Sequence, residues 1–160
     1  MKNQRMLEEL LELMQIDVSS GQETELADCL VKKLEQMGFL ITRDEAGATF
    51  GGVCGNILAV REGEREGVAC FCSHMDRVPG GIGIRPVEDN GILRSSGDTI
   101  LAADDLSGVA AILEGVRQAL ESGKKLPKLE ILFTVGEEAG LYGAKAFDVS
   151  LLMAKTMYVL

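Results

Sequence analysis

The chain has 160 residues, 46% of them hydrophobic, which is the size and apolar content of one folded domain and excludes a disordered segment. Its formal net charge of −9 argues against a phosphate-backbone partner, and no dense Lys/Arg stripe offsets it. No run approaches the roughly 18 apolar residues of a membrane span, and acids interrupt "MKNQRMLEELLELM", so no secretory signal is read and the expected location is the cytoplasm.

Met6, Leu7, Leu10, Leu11 and Met14 recur at helical spacing and predict an amphipathic helix over 3–16. A second helix follows "SSGQE". Its stripe is Leu26, Cys29, Leu30, Leu34 and Met37, and Gly38 is its stop. Residues 39–43, 56–60 and 67–73 read as strands, with "REGERE" as a solvated turn before the third. "GVACFCS" is apolar on both faces, which marks a strand inside a covered sheet.

Asp89-Asn90-Gly91 joins two short strand-like runs as a hairpin. A helix over 105–122 ends at Gly123, and a buried strand covers 128–135. "GEEAGLYGAKAF" starts as a loop and becomes a short helix, and "TMYVL" begins a further strand. Alternating strands and helices predict an α/β fold with three layers: a mostly parallel central sheet and helices on both faces. Cys29, Cys54, Cys70 and Cys72 form no CxxC pair, so the last two read as small buried hydrophobes rather than ligands.

The chemistry gathers at strand ends, where such sheets bind ligands. His74, the only histidine, closes the third strand, and Asp76 follows it. Asp104 and Asp105 precede a helix, and Glu137 and Glu138 follow a strand. Each has a plain reading: a lone histidine is ordinarily a satisfied polar residue, and an Asp before a helix is an N-cap. Together, an imidazole and several carboxylates at one sheet end repel without a cation. That mixture suits zinc, and two adjacent carboxylate-rich sites suit a metal pair with a free carboxylate as base.

The segments "SHMDRVPGG", "TILAADDLSGVAAILE" and "FTVGEEAGLYGAK" resemble the motifs of the zinc peptidase family that contains peptidase T, glutamate carboxypeptidase and aminoacylase. The likeness is strongest to bacterial peptidase T-like enzymes. It implies metal-dependent hydrolysis of a peptide or amide bond in a small peptide or acylated amino acid. Two zinc ions are implied, with cobalt or manganese as alternatives. His74 would bind one zinc, Asp104 would bridge both, and Glu138 would bind the second. Asp76 would fix the His74 tautomer, and Glu137 would be the general base. A cis Asp104–Asp105 peptide is implied as well.

Two departures stand out. Ala102 replaces the family's usual glycine, and the sequence stops at Tyr158-Val159-Leu160, one residue before an aspartate ligand of the family. Residues 1–160 are therefore expected to be the N-terminal part of a catalytic domain, without the lid domain and C-terminal catalytic segment and inactive alone. Self-association through the "TMYVL" strand and apolar Leu151, Leu152 and Met153 is expected. The competing reading is a non-catalytic remnant that keeps the fold. A nucleotide-binding domain is disfavoured because "GGIGIRP" lacks GxGxxG spacing and no GxxxxGK[ST] occurs. A magnesium-dependent phosphotransferase fits the Asp pair but not His74 and the Glu pair.

Overall fold

The computed structural model of the chain describes residues 4–160. Helix α1 spans Gln4–Met14 and α2 spans Thr24–Gln36; the expected start of α1 at residue 3 lies outside the described residues. The buried face of α1 is rotated from the expected stripe. Glu9, Leu13 and Met14 are buried, while Leu7 and Leu11 are only half-covered. Leu10 and Met14 of the stripe pack on the core, and Glu9 is accommodated on the inner face by ion pairs to Arg117 at 2.6 Å and Lys33 at 2.8 Å. Helix α2 ends where its sequence indicates. Gly38 has φ +82°, its N–H donates to the Glu35 carbonyl, and the Phe39 N–H donates to the Leu34 carbonyl. That double bond pattern needs a left-handed residue, which glycine adopts without a Cβ clash.

The strands are β1 (Leu40–Arg43), β2 (Ile57–Arg61), β3 (Val68–His74), β4 (Pro86–Asp89), β5 (Ile92–Ser95), β6 (Lys128–Thr134) and β7 (Met157–Val159). Helix α3 covers Ala103–Glu121 and the short α4 covers Tyr142–Ala146. The main sheet has five strands in the order β1-β2-β6-β3-β7. The α/β architecture is the expected one, and the sheet is mixed. Strands β6, β3 and β7 run parallel, whereas β2 pairs antiparallel with β6 on one side and with β1 on the other. β4 and β5 form a separate hairpin closed by Asn90-Gly91, both at positive φ, as a two-residue turn requires.

Alternation along β6 builds both layers. Leu129, Ile131 and Phe133 join Leu13, Leu30, Leu34, Val109 and Leu113 in the core under α1, α2 and α3. Leu132 points the other way and packs with Leu58, Cys72 and Phe147, against which Leu152 also rests. Of the three residues expected to expose apolar area, Leu151 and Met153 are exposed, while Leu152 is partly covered. Glu130, buried on β6, explains the difference: its carboxylate accepts the Met153 and Ala154 amides and draws that segment onto the sheet. All four cysteines are free thiols, and burial pushes Cys70 up to about 12 and Cys72 up to about 11. They are inert packing groups. No helix among the described residues is long and apolar enough to cross a membrane.

Candidate metal centre

The parallel half of the sheet determines where the polar residues meet. His74 ends β3 in register with Thr134, which ends β6. The chain then turns through Val135-Gly136-Glu137-Glu138, and the start of α3 delivers Asp104 to the same place. His74 Nε2 lies 3.1 Å from Asp104 Oδ1. One ligating atom each of His74, Asp104 and Glu138 fall within 4.8 Å of one another. Asp104 is 84% exposed in its side chain whereas His74 is buried, so the group opens to solvent on one side. Beside it lies a cleft of about 400 Å³ whose lining includes His74, Asp104, Glu137, Leu141, Phe147 and Val159.

Asp104 and Asp105 have non-helical torsions, and the peptide between them is cis. Their carboxylates have different partners. Asp104 faces His74, while Asp105 Oδ1 accepts the Gly108 amide at 3.0 Å and Oδ2 accepts the Ser73 hydroxyl at 2.6 Å. Asp105 is the N-cap that its position suggests.

Asp76 is placed differently from the simple expectation. Its main-chain carbonyl lies 3.1 Å from His74 Nδ1, while its carboxylate stands at an ion-pair distance of 3.5 Å. That carboxylate is occupied elsewhere: Oδ1 accepts the Glu137 amide at 2.9 Å, and Oδ2 accepts the Glu138 amide at 3.1 Å and the Ser20 hydroxyl. Asp76 thus fixes His74 through its backbone and both glutamates through its side chain.

The turn is held at four successive amides. Val135 donates to Asn56 Oδ1, Gly136 to Glu23 Oε1, and Glu137 and Glu138 to Asp76. Asn56, Glu23 and Asp76 are all buried. Ser20, Glu23 and Asn56 escape a reading of the sequence. Ser20 and Glu23 look like an ordinary polar helix start, and Asn56 opens a strand; the only local signal is a polar residue beside an apolar run.

The charges are those of a site short of a cation. Burial alone would depress the His74 imidazole, but the Asp76 and Asp104 carboxylates overcome it and hold it up to about 9. Burial raises the Glu138 carboxyl, and Asp104, Glu137 and Asp76 raise it further against the opposing pull of His74. Burial acts upward on Asp76 too, but the adjacent His74 imidazole and the bonds from Ser20 and the Glu137 amide bring it below the usual range. A cation between His74, Asp104 and Glu138 would satisfy one imidazole and two carboxylates.

Comparison with known proteins adds to this picture. The pattern of peptidase family M28 matches residues 56–160. An uncharacterized protein, YqjE, of Bacillus subtilis (strain 168) is 39% identical over 157 residues, 98% of this chain and 42% of the relative. The crystal structure of aminopeptidase PepT from Bacillus cereus ATCC 10987 superposes with a TM-score of 0.95 at 37% identity, covering 99% of this chain and 43% of that one. A tripeptidase from Staphylococcus aureus subsp. aureus Mu50 gives 0.93 at 35% identity, covering 98% and 43%. The chain spans less than half the length of each of these relatives.

Proposed function

The chain belongs to peptidase family M28, and on that premise we propose that it supplies part of a metal-dependent site that hydrolyses a peptide or amide bond in a small peptide. The observation that carries this reading is the convergence of His74, Asp104 and Glu138 within 4.8 Å. One imidazole nitrogen and two carboxylates, poor in cations and open to solvent on one side, form a donor set suited to zinc. His74 and Asp104 would hold one ion and Asp104 and Glu138 a second, with cobalt or manganese as the alternatives such ligands accept. When bound, such a metal pair lowers the pKa of a water and polarises a carbonyl.

The chain's own residues do the rest. Glu137 lines the cleft and takes the proton of the attacking water as general base. Asp76 holds the His74 ring through its carbonyl and aims both glutamates through their amides. Leu141 and Phe147 provide an apolar wall for a substrate side chain. A small peptide is the substrate favoured by likeness to an aminopeptidase and a tripeptidase, with an acylated amino acid as the second candidate. In this reading residues 1–160 are the N-terminal part of a catalytic domain whose remaining ligands lie in further sequence, and the protein works in the cytoplasm, where its four free thiols stay reduced.

Zinc titration by calorimetry of the wild type beside His74→Ala and Asp104→Asn tests the metal site. Release of an amino acid from a tripeptide by the zinc-loaded, complete polypeptide tests the reaction. Zinc uptake that neither substitution weakens would refute the site. Uptake without hydrolysis would favour the non-catalytic reading.

A further inference from the structure

Glu23 is fully buried at the start of α2, yet no cationic side chain pairs with it among the described residues. Its Oε1 accepts the Gly21 amide at 2.9 Å and the Gly136 amide at 3.0 Å, while Oε2 has no partner. Burial pushes this carboxyl above the usual range, and the nearby Asp76 carboxylate pushes it further. The buried charge of an unpaired carboxylate is costly, whereas a neutral acid keeps the same acceptor oxygen.

Gly136 has φ +60°, and a Cβ there would lie 2.6 Å from the Phe50 ring, which itself stacks on Tyr142. The backbone is therefore pressed between an aromatic ring and Glu23, immediately before the two glutamates of the candidate site. Asn56 and Asp76 serve the neighbouring amides and have no free oxygen aimed at Gly136. Without Glu23 the buried Gly136 amide loses its acceptor, and the turn must relax at the residue immediately before Glu137 and Glu138.

We propose that Glu23 is a positioning residue of the metal centre: by holding the Gly136 amide through Oε1, it sets the direction in which the Glu137 and Glu138 side chains leave the turn. The inference rests on the metal-site reading above. It also predicts that the acceptor oxygen matters and the negative charge does not.

The test compares Glu23→Ala, Glu23→Gln and Leu30→Ala in the full 160-residue chain. Amide exchange at residues 136–138 and zinc affinity are the readouts, with the unfolding midpoint as control. Glu23→Ala should speed exchange at those amides and weaken zinc binding by about 10–100-fold, the range for residues that orient metal ligands. Glu23→Gln keeps an acceptor oxygen and should restore wild-type exchange and affinity. Leu30→Ala lowers stability through the core and should leave zinc affinity unchanged. The proposal is overturned if Glu23→Ala keeps wild-type exchange at 136–138. Equal zinc loss in Leu30→Ala, or a Glu23→Gln as defective as Glu23→Ala, overturns it as well. A wild-type chain that binds no zinc removes the metal reading instead, and the exchange rates then still decide whether Glu23 holds the turn.

Discussion

Asp104 and Asp105 are neighbours in sequence, yet they send their carboxylates to different tasks, the first to His74 and the second to the Gly108 amide and the Ser73 hydroxyl. Their substitutions should separate accordingly. Asp104→Asn, at an 84% exposed side chain, should change stability by less than about 0.5 kcal/mol and lose zinc affinity. Asp105→Ala removes a cap and leaves the buried Ser73 hydroxyl only long contacts to main-chain carbonyls, and should cost about 1–3 kcal/mol. Chemical denaturation beside zinc titration reads both. Equal destabilisation by the two changes would contradict the division.

Glu137 and Glu138 should separate in the same manner. In the complete polypeptide, Glu137→Gln should leave zinc affinity near that of the wild type and lower tripeptide turnover by about 10²–10⁴-fold, the effect of losing a general base. Glu138→Gln should weaken zinc binding first. Calorimetry and amine release distinguish them, and parallel metal loss in both would reverse the assignment.

Zinc should bind the 160-residue chain weakly. His74 with Asp104, and Asp104 with Glu138, offer each ion two protein ligands, where a catalytic zinc has three and a structural one four. A chelator competition series should place the affinity well below that of a site with three or four protein ligands. Tight uptake of two ions would mean that other groups of the chain, or a second copy, complete the shell.

Acid should loosen the helical layer through Glu114. Hydrogen bonds from Arg5, at 2.7 and 2.9 Å, are the main reason its carboxyl sits at about 2, with Gln118 and Arg117 adding to the effect. A depressed carboxyl contributes stability that is fully present above its unfolded value, near 4.5, and is lost as pH falls through about 2. Denaturation midpoints should therefore fall across that window. Glu114→Gln should show a shallower fall, since the titrating group is gone. An unchanged slope would mean that the Arg5 contact is too solvated to matter.

Strand β7 leaves one edge open, with Tyr158 at 59% and Val159 at 72% exposure. Open apolar edges pair with other strands. Light scattering over a dilution series should show concentration-dependent association, and Val159→Lys should suppress it. A monodisperse wild type at high concentration would dispose of this expectation.

The elements read most directly from sequence are those with a local cause. Gly38 ends α2 because the backbone there must turn left-handed, and Asn90-Gly91 closes a hairpin for the same kind of reason. The convergence of His74, Asp104 and Glu138 was also legible, since strand ends of a parallel sheet share one rim. Strand direction was less so: alternation in 39–43 and 56–60 marks strands but not that both pair antiparallel. Least legible were contacts between distant residues. Glu23 meets Gly136 across 113 positions, and Glu9 meets Arg117 across 108, so nothing in the neighbouring sequence distinguishes them from solvated acids.

The single carboxylate of Asp76, shared between the amides of Glu137 and Glu138, has an evolutionary consequence. A mutation at Asp76 perturbs the proposed base and the proposed ligand together, so selection has no route through it to retune one proposed role while preserving the other. Independent adjustment must come from the flanking contacts: Asn56 and Glu23 upstream of the pair, or the Phe50–Tyr142 stack that covers the turn. Variation that diversifies this site should accumulate at those supports, while Asp76 changes only in concert with the pair it serves.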